Sequence, residues 1–111
     1  KKYQSALSTF KSLETSTKFS PIVPYYIIQI YHMQKKYDEI ITYAPPLLAS
    51  VVPKRAAEIS RLLGGAYYNT KQYQKAIPYL KRYNKEKAHQ STREDKYQLG
   101  YSYYKVDLID F

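Results

Sequence analysis

The chain contains no cysteine and no tryptophan, and only one methionine, three glycines and two histidines. The missing cysteine excludes disulfides, thiolate metal sites and a cysteine nucleophile, and it leaves the redox compartment open. Long apolar runs are missing too. Runs such as Pro45 to Ala49 fall far short of the roughly 20 apolar residues that a membrane-spanning helix needs, so no membrane span is expected. The opening Lys1-Lys2-Tyr3 carries no signal-peptide pattern and no Met. It falls inside what reads as a repeat, so a fragment or processed form is expected. Acidic residues are few, 9 Asp and Glu against 18 Lys and Arg, for a net charge of +9. That balance points to an acidic partner, to nucleic acid, or only to solubility. The basic residues are spread out, with no block of five or more.

Catalytic constellations are also lacking. His32 and His89 have no acidic or nucleophilic residue at a triad-like spacing. Asp38-Glu39 and Glu94-Asp95 are adjacent pairs, and neighbours on a helix diverge by about 100°. No metal-ligand cluster, phosphate loop or nucleotide fingerprint occurs, and Gly64-Gly65 reads as a packing element. No enzyme activity, cofactor or metal is therefore expected.

Hydrophobic residues make up 44% of the 111, and fifteen residues are tyrosine. They recur with helical period. Ile59, Leu62, Leu63, Ala66 and Tyr67 fall on one face of a helix, and Tyr73, Ala76, Ile77, Leu80 and Tyr83 do the same. Lys71, Lys75, Arg82 and Lys85 gather on the opposite face of the second segment, with Lys81 beside them. The turn between the segments, Asn69 to Gln72, is short enough to force antiparallel neighbours. The pattern predicts helices near 1–14, 21–34, 36–49, 54–69, 72–86 and 92–105, with a seventh beginning near 107. Ser20-Pro21 reads as an N-cap with Pro at N1, and Thr92 with Asp95 as a capping box. Pro45-Pro46 predicts a kink or break at 44–46, and Pro78 a mild bend on a solvent side. No strand pattern competes; Val51-Val52 is ended by Pro53.

A motif occurs twice, 36 residues apart: Leu63-Gly64-x-x-Tyr67-Tyr68 and Leu99-Gly100-x-x-Tyr103-Tyr104. Tyr73-x-x-Ala76 lies between the copies, and Tyr3 and Tyr37 sit in matching contexts. Ser60-x2-Leu63-Gly64-x2-Tyr67, then Tyr73, Ala76 and Leu80, resembles the tetratricopeptide repeat, a helix–turn–helix unit of about 34 residues. Ser60 stands for the usual Trp and Leu80 for Phe. The resemblance implies an all-α, right-handed α-solenoid of antiparallel helix pairs in one domain, 1–111. Within it, 1–18 is the second helix of a truncated repeat, 21–50 a degenerate repeat with Ile27-Ile28 in place of Leu-Gly, 54–87 the best-matching repeat, and 92–111 the start of a truncated one. Gly64 and Gly100 are expected to admit an adjacent helix closely, and Tyr67 and Tyr103 to fill the space within a repeat. Arrays of this Lys/Tyr/Ile-rich character resemble bacterial examples, many in the cell envelope.

In proteins that look like this, the first helix of each repeat lines a concave groove. The resemblance places Ile22, Tyr25, Gln29, His32 and Met33 there from the first unit. It adds Glu58, Arg61, Gly65, Tyr68 and Asn69 from the second, and Glu94, Tyr97, Tyr101, Tyr104 and Lys105 from the third. On helical geometry the middle set spans about 100°, away from the Ile59/Leu63/Tyr67 stripe. The groove reading takes Tyr25, Gln29, His32, Arg61, Tyr68, Asn69, Tyr97, Tyr101, Tyr104 and Lys105 as contacts for a protein or peptide, since tyrosine offers rigid area plus a hydroxyl. The Lys/Asn carboxylate clamp of one subfamily is not reproduced. Nucleic acid is the disfavoured alternative, because the lysine stripe lies on a second helix, on the convex side. A third reading is a spacer in a longer array, whose apolar ends, Tyr3, Ala6, Leu7 and Phe10 on one side and Leu108, Ile109 and Phe111 on the other, would self-associate.

Overall fold

The computed structural model describes residues 2–49 and 55–109, and among them every regular element is helical. The order is α1 (Tyr3–Lys11), α2 (Val23–Met33), α3 (Tyr37–Ala49), α4 (Ala56–Asn69), α5 (Tyr73–Glu86), a 3-10 turn (Ala88–Gln90) and α6 (Arg93–Ile109). The Val51-Val52-Pro53 segment and Phe111 lie outside the described residues. Helices pack on their neighbours in sequence; α2 also touches α4, and α4 touches α6, whereas α1, α3 and α5 do not meet one another. The molecule measures 48 × 26 × 24 Å, twice as long as it is wide.

The two helix pairs turn in the same way. In the first, Lys35 N–H donates to His32 C=O at 3.0 Å and Lys36 N–H to Tyr31 C=O at 2.8 Å. In the second, Lys71 N–H donates to Tyr68 C=O at 3.0 Å and Gln72 N–H to Tyr67 C=O at 2.8 Å. Both are Schellman motifs, and each bond has its counterpart 36 residues on. The left-handed position that such a turn requires is filled by lysine in each case, Lys35 at φ 57° and Lys71 at φ 63°. A side chain there costs roughly 1–2 kcal/mol relative to an unstrained backbone.

The core runs through both pairs: Ile27, Ile28, Ile40, Ala44, Ile59, Leu63, Ala66, Ala76 and Leu80 are all at most 1% exposed. A Cβ added to Gly64 would lie 2.8 Å from Leu80 Cδ2 and 3.0 Å from the Leu80 amide nitrogen, so α5 approaches α4 at the distance that only glycine permits. The first pair solves the same position differently. Ile28 stands where Gly64 does and Ala44 where Leu80 does, both fully buried. Large and small residues stand at exchanged positions in the two pairs.

Several expectations are corrected. Helix α3 runs through Pro45 and Pro46 without a break. Each proline gives up the bond to the carbonyl four residues back, that of Ile41 or Thr42, and Thr42 and Pro46 lie on the exposed side of the helix. Helix α1 ends at Lys11 rather than 14. Ser20-Pro21 does not start α2: residues 19–22 form turns, with Ile22 and Val23 N–H both donating to Phe19 C=O at 3.0 Å, and Pro24 takes the first-turn place. Helix α6 continues to Ile109, so no new helix begins near 107. Among the described residues no atom lies within 4 Å of a Cβ built on Gly100, and Tyr103 is 42% exposed against 9% for Tyr67. The second copy of the motif is therefore not buried as the first is, because α5 covers Gly64 and no described helix covers Gly100. Pro78 does lie on the solvent side of α5.

Candidate interaction face

Helices α2, α4 and α6 share one side of the molecule, and the charged residues of these three helices balance. Helix α2 has no Lys, Arg, Asp or Glu. In α4 and α6, Arg61, Arg93, Lys96 and Lys105 are matched by Glu58, Glu94, Asp95 and Asp107. The excess of +9 consequently resides in α1, α3, α5 and the connections.

Tyrosines dominate the α4–α6 end of this side. Tyr97 stacks on Tyr101 with ring centroids 5.8 Å apart and planes 17° from parallel. Tyr68 meets Tyr101 edge to face at 6.0 Å, and Tyr104 lies 6.0 Å from Tyr101 on the other side. Tyr97 and Tyr104 are 59% and 57% exposed, while Tyr68 and Tyr101 are half-buried beneath them. Lys105 Nζ sits 6.0 Å from the Tyr101 ring centre, within cation–π range. Burial, then the nearby Tyr97 and Glu94, pushes the Tyr68 hydroxyl above its usual pKa, so it remains a hydrogen-bond donor.

Tyr73 belongs to this cluster, 5.8 Å from Tyr68 and 5.6 Å from Tyr101. Sequence reasoning placed Tyr73 in the packing of a second helix. The arrangement recurs in the earlier pair, where Tyr37, 36 residues before Tyr73, meets His32 edge to face just as Tyr73 meets Tyr68.

The middle of the face is polar. His32, Arg61, Gly65, Asn69 and Glu94 line a cavity of about 140 Å³ together with Leu62, Asp95 and Gln98. Arg61 is not free within it. Its Nε donates to Asp95 Oδ1 at 2.7 Å, and its guanidinium lies 5.3 Å from the centre of the buried Tyr83 ring. Asp95 also closes the capping box: Thr92 N–H donates to Oδ2 at 2.8 Å, and Asp95 N–H donates to Thr92 Oγ1 at 3.2 Å. Burial pushes the Asp95 carboxyl up, but the Arg61 and Thr92 hydrogen bonds outweigh it and hold the group below its ordinary value. Asn69 turns back on its own helix, donating to Gly65 C=O at 2.7 Å. Burial, then the Arg61 cation, lowers the His32 pKa.

No family model, no curated protein and no solved structure matches the chain. What the face can do is therefore read from its own chemistry. At the α2 end, Gln29 Nε2 donates to Tyr25 Oη at 2.9 Å, and the Arg55 guanidinium covers the Tyr25 ring at 5.3 Å. The ten residues singled out from the sequence thus fall into three groups. Tyr25 and Gln29 form one, His32, Arg61 and Asn69 the second, and Tyr68, Tyr97, Tyr101, Tyr104 and Lys105 the third. Of these, Arg61 Nε and Asn69 Nδ2 are engaged within the fold, and the exposed tyrosines offer the contact area. Among the described residues, no three His, Cys, Asp or Glu side chains converge as metal ligands, and no helix is long and apolar enough to cross a membrane.

Proposed function

We propose that this chain is a repeat scaffold of tetratricopeptide type, a right-handed superhelix whose α2–α4–α6 side holds an extended or helical segment of a partner protein. The recurrence of one turn geometry after 36 residues and the contacts among α2, α4 and α6 support the superhelical reading. The observation that carries the binding reading is the Tyr68–Tyr97–Tyr101–Tyr104 cluster, two of whose rings are more than half exposed. Aromatic area of this kind anchors interfaces. Helices α2, α4 and α6 carry no net charge between them, which favours a partner whose central residues are apolar or aromatic, with acidic residues at its flanks meeting the basic turns.

Selection of a peptide from a displayed library, followed by mapping of its bound position by NMR, tests this. Shifts confined to the tyrosine cluster are expected, and the Tyr68→Ala/Tyr101→Ala double substitution is expected to weaken binding at least tenfold, about 1.4 kcal/mol. Undiminished binding by that variant refutes the reading. A second reading, contact with a polyanion, rests on the exposed Lys75, Lys81 and Lys85 of α5. Retention on heparin that falls steeply with salt and is lost on neutralising these lysines favours it.

A further inference from the structure

Two glycines stand side by side inside α4, and the fold accounts for one of them. A Cβ on Gly64 would lie 2.8 Å from Leu80 Cδ2, closer than packed atoms allow. Among the described residues, a Cβ on Gly65 would meet only Gln98 Oε1, at 3.7 Å, an ordinary contact. Alanine therefore fits at 65 within this chain, and glycine in mid-helix is the less stable choice. One use of glycine is to let another molecule come close to the backbone. Gly65 lines the cavity of about 140 Å³ between α2, α4 and α6.

The groups around that cavity supply hydrogen bonds of both kinds. Gln98 Oε1 is turned toward Gly65, while its Nε2 donates to Glu94 Oε2 at 3.1 Å. Asn69 Nδ2 donates to Gly65 C=O at 2.7 Å, which leaves Asn69 Oδ1 to accept. His32, with its pKa below the ordinary value, is neutral at neutral pH and brings one donor and one acceptor. Arg61 gives Nε to Asp95 at 2.7 Å, and its two terminal nitrogens carry further donors. A charged guest of either sign is disfavoured, because a cation meets Arg61 and a carboxylate meets Glu94 and Asp95. A primary amide carries two donors and an acceptor and meets no like charge.

We propose that the cavity beside Gly65 is a specificity pocket for one asparagine or glutamine side chain of the partner segment, seated against the bare backbone of Gly65 and between Asn69 and Gln98. The assignment rests on the tyrosine-anchored reading of the face. Gly65 is one turn from Tyr68 on α4, and Gln98 is one turn from Tyr101 on α6, so a segment held by the tyrosines lies within reach of the pocket.

Peptides selected from a displayed library on the 111-residue chain test this, with affinities measured by isothermal titration calorimetry. Asn or Gln is expected at one fixed position, and its replacement by Ala in the peptide is expected to weaken binding about tenfold or more. Gly65→Ala is expected to keep the helical circular dichroism of the parent, since its Cβ meets only an ordinary contact. It is expected to weaken the amide-bearing peptide by a similar factor, because the added methyl fills the floor of the pocket. Against the Ala-substituted peptide it should match the parent, the pocket then being unused. Peptides that depend on Tyr68 and Tyr101 but show no such position, or carry Asp, Glu, Lys or Arg there, overturn the pocket and leave the tyrosine reading standing. So does a Gly65→Ala chain that binds the amide-bearing peptide as the parent does. Peptides indifferent to Tyr68→Ala/Tyr101→Ala remove the tyrosine reading and the pocket with it.

Discussion

Replacing Asp95 by Ala tests how α4 and α6 are held together. The carboxylate is 4% exposed and serves two structures at once. It accepts the Thr92 N–H at 2.8 Å and the Thr92 hydroxyl at 2.9 Å, which closes the start of α6. It also accepts Arg61 Nε from α4 at 2.7 Å. Loss of a cap of this kind costs about 1 kcal/mol. A hydrogen bond to a charged group contributes about 1.5–3 kcal/mol, and the 41% exposure of the Arg61 side chain puts this one at the lower end. Asp95→Ala is therefore expected to lower the unfolding free energy by about 2–3 kcal/mol. Asp95→Asn keeps an acceptor for Thr92 and is expected to lose roughly half as much. Urea denaturation followed by circular dichroism at 222 nm (the helix band) measures both, with unchanged slopes. A cycle with Arg61→Met separates the inter-helix part from the cap. The pH dependence provides a second check. The folded pKa lies below the unfolded 3.8, so the stabilisation is complete above that value and is lost as pH falls through the lower folded one. A loss below about 0.5 kcal/mol for Asp95→Ala, the range of an indifferent surface change, refutes the reasoning.

The two glycines of the repeated motif should respond in opposite senses: Gly64→Ala, whose Cβ meets Leu80 at 2.8 Å, is expected to destabilise by roughly 1–3 kcal/mol, and Gly100→Ala to stabilise by about 0.5–1 kcal/mol. Thermal melts of dilute samples read both. Lys71→Gly relieves the left-handed backbone at φ 63° and is expected to add roughly 0.5–1 kcal/mol in the same assay, and a loss of stability would contradict the strain. For His32 the folded pKa lies below the ordinary 6.5, so its contribution is full above that value and lost as pH falls through the folded one. The melting temperature of the parent should decline on acidification through this range more than that of His32→Gln.

Helical period placed the described helices to within a few residues, most plainly where a helix buries a continuous stripe, such as Ile59–Leu63–Tyr67 in α4. Punctuation was less legible. Lysine gives no turn signal, yet Lys35 and Lys71 hold the left-handed positions. Pro45 and Pro46 signal a stop that α3 passes through. Identical motif letters also had unequal surroundings: Gly64 and Tyr67 are buried by α5, while Gly100 and Tyr103 stay open. In the candidate face, the tetratricopeptide resemblance set Tyr68, Tyr97, Tyr101 and Tyr104 on one surface, and their rings meet one another. It could not show that Arg61 is taken by Asp95, 34 residues away, because that pairing depends on how α4 and α6 approach.

The exchange between Gly64/Leu80 and Ile28/Ala44 also bears on mutational routes. Passing from one solution to the other one residue at a time has two orders, and both cross a barrier. Enlarging the glycine first drives it into the Leu80 backbone nitrogen, 3.0 Å from the new Cβ. Shrinking the leucine first opens a cavity at a cost of about 2–5 kcal/mol. The two positions are therefore coupled, and each constrains what the other can become.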